Sequence, residues 1–273
     1  MFGKRSDATL VRDLPTMRAI MPFISPRRND SLFYYTNEVE ADAALAYIEK
    51  YNESASEDRQ LTLFHLVLRA TAQVIYARPR VNRFIAGGRI WQRDEVWISY
   101  SAKKELVDQA PLVTVKRFFP RDESLDAMVE GILSRTRRRR SGEEKSQSDR
   151  EMSLAMRFPP FLVRIAVWLL HQANQLGMLP KSMIDDDPLF STIFIANLGS
   201  VDMNAGYHHL WEYGTCSMFC VVGRLRERWD GKRVFDLSYT YDERMEDGLY
   251  GGIGMQMIKD AIQNPETCTA IPE

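Results

Sequence analysis

The chain has 273 residues, 45% of them apolar and 27% charged, which excludes wholesale disorder and allows one large domain or two smaller ones. A formal net charge of −1 leaves no global basic field, so nucleic acid is not expected as a partner. Three Cys argue against a disulfide scaffold, and four His are too few for an obvious zinc cluster, so no metal is expected.

The opening residues, MFGKRSDATLVRDLP, hold no apolar stretch of the kind a secretory signal needs. No apolar run reaches the ~18 residues of a spanning helix, so a cytoplasmic protein is expected. Glu40 to Asn52 reads as a helix with Ala41, Ala44, Leu45 and Ile48 on one face. Leu61 to Arg78 reads as a second helix, stopped by Pro79. RFIAGGRIWQRDEVWISYSAKK reads as two strands around Gly87-Gly88, with Trp91 and Trp97 expected on one face. Leu112 to Phe118 is another alternating strand. Leu125, Met128, Val129, Ile132 and Leu133 form the stripe of a third helix, which runs into Arg135 and Arg137 to Arg140. Cations at that end complement the helix dipole.

After the polar SGEEKSQSDRE, Pro159-Pro160 opens a further helix, FLVRIAVWLLHQANQL. Its polar side is Arg164, His171, Gln172 and Asn174, and the apolar remainder is expected in a core or an interface. STIFIANLGS, CSMFCVVGRL and VFDLSYTYD are β-like, the last two joined at Asp230-Gly231 by a hairpin. Gly248 to Gln263 closes the pattern as a helix. Strands that alternate with helices place the chain in the mixed α/β class.

The most informative block is Tyr239-Thr240-Tyr241-Asp242-Glu243-Arg244-Met245-Glu246-Asp247-Gly248, preceded by Phe194-Ile195-Ala196-Asn197-Leu198-Gly199. In this order the residues resemble the catalytic domain of the dihydrolipoyl acyltransferases of 2-oxoacid dehydrogenase complexes, which shares its fold with chloramphenicol acetyltransferase. In that family a strand reading roughly S-N-L-G precedes one ending in D-H-R-x-x-D-G. Met17-Arg18 matches its early M-R, Phe33 to Asn52 its first strand and helix, and Asn264-Pro265-Glu266 its closing turn. The resemblance covers most of the chain outside an insert at about 135–187. It implies a single acyltransferase-like domain over 1–273, built as a two-layer α+β sandwich with a mixed sheet and flanking helices. It also implies a homotrimer with each site between two subunits, and coenzyme A or acyl-CoA as substrate with no covalently bound cofactor.

The residues depart from the family where its chemistry is done. The catalytic His falls at Glu243, and the Ser or Thr that stabilises the oxyanion falls at Ala196. Asp247 is retained, and the family's pairing implies a salt bridge from it to Arg18. Asn197, Gly199 and Ser200 are the remaining candidates for substrate contact. Acyl transfer needs a base for the acceptor's proton and donors for the oxyanion. Glutamate, at ~4.3, is a weak base toward a thiol of ~8.5 and serves only when burial raises it by roughly two units or more. His208 and His209 lie between the two motifs and offer a relocated base, which Glu243 could orient, or an interface pair with no chemistry.

Two function classes follow. One is a CoA-dependent acyltransferase with a non-standard base, acting on a thiol, amine or hydroxyl. The other is a catalytically silent trimer, a scaffold, ligand-binding or regulatory subunit. The stretch 135–176 is a candidate for contact with a protein or a membrane surface. The chain shows no lipoyl segment or Pro/Ala-rich linker, so the acceptor is expected from another chain or from solution. Its end, Cys268 to Glu273, is poor in apolar residues, so assembly is expected to stop at the trimer.

Overall fold

The computed structural model describes residues 4–103, 112–142 and 153–269. β1 (Ala8–Leu10) and α1 (Thr16–Ile24) lead into β2 (Leu32–Glu40) and α2 (Asp42–Asn52). α3 (Leu63–Ala77) starts on a capping box in which Thr62 Oγ accepts the His65 N–H and His65 Nδ1 accepts the Thr62 N–H. β3 (Arg83–Ala86) and β4 (Arg89–Arg93) turn on Gly87 and Gly88, both at positive φ. β5 (Trp97–Lys103), β6 (Leu112–Phe118) and α4 (Leu125–Ser141) come next, then α5 (Pro160–Gln175) and α6 (Lys181–Asp186). β7 (Ile193–Asn197), β8 (Met218–Val222), β9 (Arg226–Glu227), β10 (Arg233–Asp242), α7 (Gly248–Gln263) and α8 (Pro265–Thr269) complete the order.

The strands fall into two sheets. The small one is antiparallel, in the order β1-β4-β3. The large one runs β2-β10-β8-β7-β5-β6, with β9 paired to β10. It is mixed: β5, β7 and β8 are mutually parallel, while β2, β10 and β6 run against their neighbours. Alternation decides which side chains go where. Ile195, Cys220 and Tyr239 point to the main core, which α3, α7 and α2 cover from one face. Phe194, Phe219 and Val221 point the other way and pack with Leu210 and Trp211 of the loop before β8. Within α3, Leu66, Val67, Leu68, Ala70 and Ile75 are buried. Each of the larger ones contributes roughly 1.5–3 kcal/mol of burial free energy.

The expected mixed sheet with flanking helices is what forms, with three local differences. Trp91 and Trp97 do not share a face, because the chain changes sheets between β4 and β5. The arginine-rich end of α4 does more than complement a dipole: Arg139 is buried and lies 3.8 Å from Asp186 on α6. α5 does not take the first of its two expected places, the core: Asn174 is buried, while Arg164, Phe161, Ile165, Trp168 and Leu169 are exposed in the single chain.

Candidate active site

β10 ends at Asp242, and the turn after it is held by a buried ion pair. Arg244 Nε and Nη2 each lie 2.8 Å from an Asp242 carboxylate oxygen. The Arg244 Nη1 donates to the carbonyls of Ser25 and Pro26, tying the turn to the end of α1. Arg28 stands 3.6 Å from the same carboxylate and donates to the carbonyls of Trp211 and Gly214. Burial pushes the Arg28 pKa down, against the pull of Asp242. Two buried arginines on one buried carboxylate thus fix both Glu243 and the 208–214 loop.

The ion pair holds Asp242 and Arg244 inward, and Glu243, between them in the turn, is exposed. Its N–H donates to the Ser31 carbonyl, and its own carbonyl accepts Arg18 Nη1 at 2.6 Å. It lines a cleft of about 460 Å³ with Glu246, Asp247, Arg18, Arg80 and Arg83. Burial is the condition for a glutamate base, and the protomer does not provide it.

The expected Arg18–Asp247 salt bridge is made elsewhere. Arg18 Nε reaches Glu246 at 4.0 Å, and Glu246 also takes Arg83 at 2.8 Å and Arg80 at 3.5 Å. Asp247 instead caps α7, its Oδ1 accepting the Tyr250 N–H at 2.8 Å. That hydrogen bond, helped by the Arg18 charge, lowers the Asp247 pKa.

Ala196 to Ser200 sit at the far end of the sheet. Asn197 Oδ1 accepts the Ser200 N–H, and Ser200 Oγ donates to the Asn197 carbonyl. Gly199 is a close-approach residue: a Cβ there would stand 2.5 Å from the Gly223 carbonyl oxygen. Ala196 pairs with Val221 on β8, whereas Met218 pairs with Tyr241 and Glu243 lies two residues further on. At about 3.3 Å per residue and 4.8 Å per strand, Ala196 and Glu243 are roughly 19 Å apart. One protomer does not bring the two motifs together.

The histidines take a third position. His208 stacks on Phe219 at 4.2 Å and on His209 at 4.4 Å, beside Trp211. Ala196 borders the same aromatic cluster, so His208 and Ala196 share a sheet face. His208 Nδ1 lies 2.7 Å from the His209 carbonyl, which can only accept, so Nδ1 is the donor, and in the neutral ring the lone pair is on Nε2. Neither histidine hydrogen-bonds to Glu243 among the described residues, so the expected orienting contact is not made within the chain.

No protein-family model matches the sequence. No curated protein matches it either. Solved structures do. The dihydrolipoamide acetyltransferase of Azotobacter vinelandii, whose catalytic mechanism was probed at a serine, a histidine and an asparagine, aligns at 14% identity. It covers 96% of this chain and 95% of its own, with a TM-score of 0.63. A truncated catalytic core of the 2-oxoacid dehydrogenase complex of Thermoplasma acidophilum aligns at 15% identity over 93% and 98%, with a TM-score of 0.61. A chloramphenicol acetyltransferase aligns at 13% over 93% and 99%, with a TM-score of 0.58. The fold is the chloramphenicol acetyltransferase-like acyltransferase fold.

Within that fold, the sequence pointed to Arg18 but not to Glu246, Arg80 and Arg83, which join it. The signal was present in Arg78-Pro79-Arg80 and Arg83, but their convergence depends on the small sheet turning back toward α7. Among the described residues no three His, Cys, Asp or Glu side chains gather as metal ligands. No described helix is long and apolar enough to cross a membrane.

Proposed function

We propose that this chain is a CoA-dependent acyltransferase-like protein that moves an acyl group from a CoA thioester to a thiol, amine or hydroxyl. The fold carries this reading, shared over nearly the whole chain with acetyltransferase cores. The base is His208 in place of Glu243. Its Nε2 takes the acceptor's proton as the acceptor attacks the thioester carbonyl, and the tetrahedral intermediate collapses to release CoA, which regains a proton. Asn197 and Ser200 border the acyl group; with alanine at 196 no side-chain hydroxyl meets the oxyanion, a loss worth ~10²–10³ in rate. The working form is a homotrimer, in line with the multienzyme cores among its structural neighbours. A neighbouring protomer then brings its Glu243–Asp247 cleft to the Ala196–His208 face.

A second reading, a silent trimeric scaffold, is favoured by the exposure of Glu243 and the missing hydroxyl at Ala196. Calorimetry with CoA, acetyl-CoA and succinyl-CoA at low salt separates the two. We expect micromolar binding at about one site per subunit, and at least a tenfold fall in turnover for His208→Ala with little change for Glu243→Gln. No binding up to millimolar CoA would leave the scaffold reading standing.

A further inference from the structure

We propose that α5 docks the protein onto an anionic lipid surface. Phe161, Leu162, Ile165, Trp168 and Leu169 recur at helical spacing on one stripe, and all are 41–62% exposed. An ordinary surface helix turns such a stripe inward. Here the polar end is turned in instead, by specific bonds. Arg5 Nη1 donates to the backbone and side-chain oxygens of Asn174 at 2.8 and 3.0 Å, and the Gly87 N–H donates to Gln175. The helix is therefore anchored by its C-terminal turn, and its apolar half stands clear of the body. Leu154, Met156 and Phe158, just before it, are exposed as well.

Charge selects the occupant. Between Glu151 and Asp185 the sequence holds no acidic residue, and its charged residues are Arg157, Arg164 and Lys181. A second copy docked stripe to stripe would bring like charges together, and the head-to-tail contacts of a trimer do not pair a stripe with its own copy. A bilayer with acidic headgroups takes both the apolar stripe and the arginines, the combination that interfacial helices use. At 16 residues α5 is about 24 Å long, too short to span the ~30 Å hydrocarbon core, so it lies in the interface plane.

The test is co-sedimentation of the full chain, at low salt, with vesicles of phosphatidylglycerol and phosphatidylcholine or of phosphatidylcholine alone. Binding to the anionic vesicles is expected to be at least about tenfold stronger. The double variant Ile165→Glu with Leu169→Glu should lose about tenfold or more, because it puts charge in the acyl layer. Both positions are exposed, so thermal melting of this variant should match that of the unsubstituted chain. Arg157→Gln with Arg164→Gln should weaken binding to the anionic vesicles alone. The proposal is overturned if neither vesicle binds, or if the glutamate variant binds as well as the original. A glutamate variant that sediments at a different oligomeric mass would also overturn it, because a second copy would then be what covers the stripe.

Discussion

His65 shows how one side chain serves two purposes. Its Nδ1 accepts the Thr62 N–H at the start of α3, while burial pushes its pKa down to about 4. In the unfolded chain an imidazole titrates near 6.5. The contribution of His65 to stability is therefore complete above pH ~6.5 and is lost as pH falls from there toward 4, on the order of 3 kcal/mol at the limit. His65→Gln keeps a capping side chain at that position and removes the titration. Urea unfolding at pH 7 and pH 4.5 should show a smaller acid loss in the variant; equal losses would place the acid sensitivity elsewhere. Legibility at this scale was limited. The inward Arg244 and outward Glu243 do not follow from strand alternation, because β10 ends at Asp242 and both residues lie in the turn after it. Nor does the partner of Arg18 follow from the sequence, because Glu246 and Asp247 are neighbours in a turn and only its path decides which one faces Arg18.

At the scale of elements, α7 carries the clearest test. Asp247 caps it, and the same residue stands in the motif that resembles the acyltransferases. Asp247→Ala should cost about 1 kcal/mol of stability, and Asp247→Asn should recover most of it, read as thermal midpoints. An equal loss in both would mean that the carboxylate charge beside Arg18 matters more than the cap. Element types were readable from periodicity for α3, α5, α7 and β10, where the apolar spacing is long and regular. The burial of α5 was not readable: spacing identifies a stripe but not what the stripe meets. The break between β4 and β5 was also hidden, since both strands alternate and only pairing assigns them to different sheets.

At the scale of the molecule, Ala196 and Glu243 lie at opposite ends of the strands, and the proposed trimer is what would join such halves. Sedimentation equilibrium should return three times the 31.6 kDa chain mass. A monomer that still binds CoA would mean that the site needs only one chain.

The place of β10 between β2 and β8 also governs how the protein is made. Leu32 pairs with Asp242, and Ile98 with Ile193, so the sheet is joined by residues far apart along the chain. Such pairings are slow to form. At about 5–20 residues per second, β2 waits some 10–40 s on the ribosome before its partner strand is synthesised. Until then both edges of β2 are unpaired and α3 has no completed sheet beneath it. A nascent chain stalled before residue 233 is thus the species most exposed to aggregation and most in need of a chaperone.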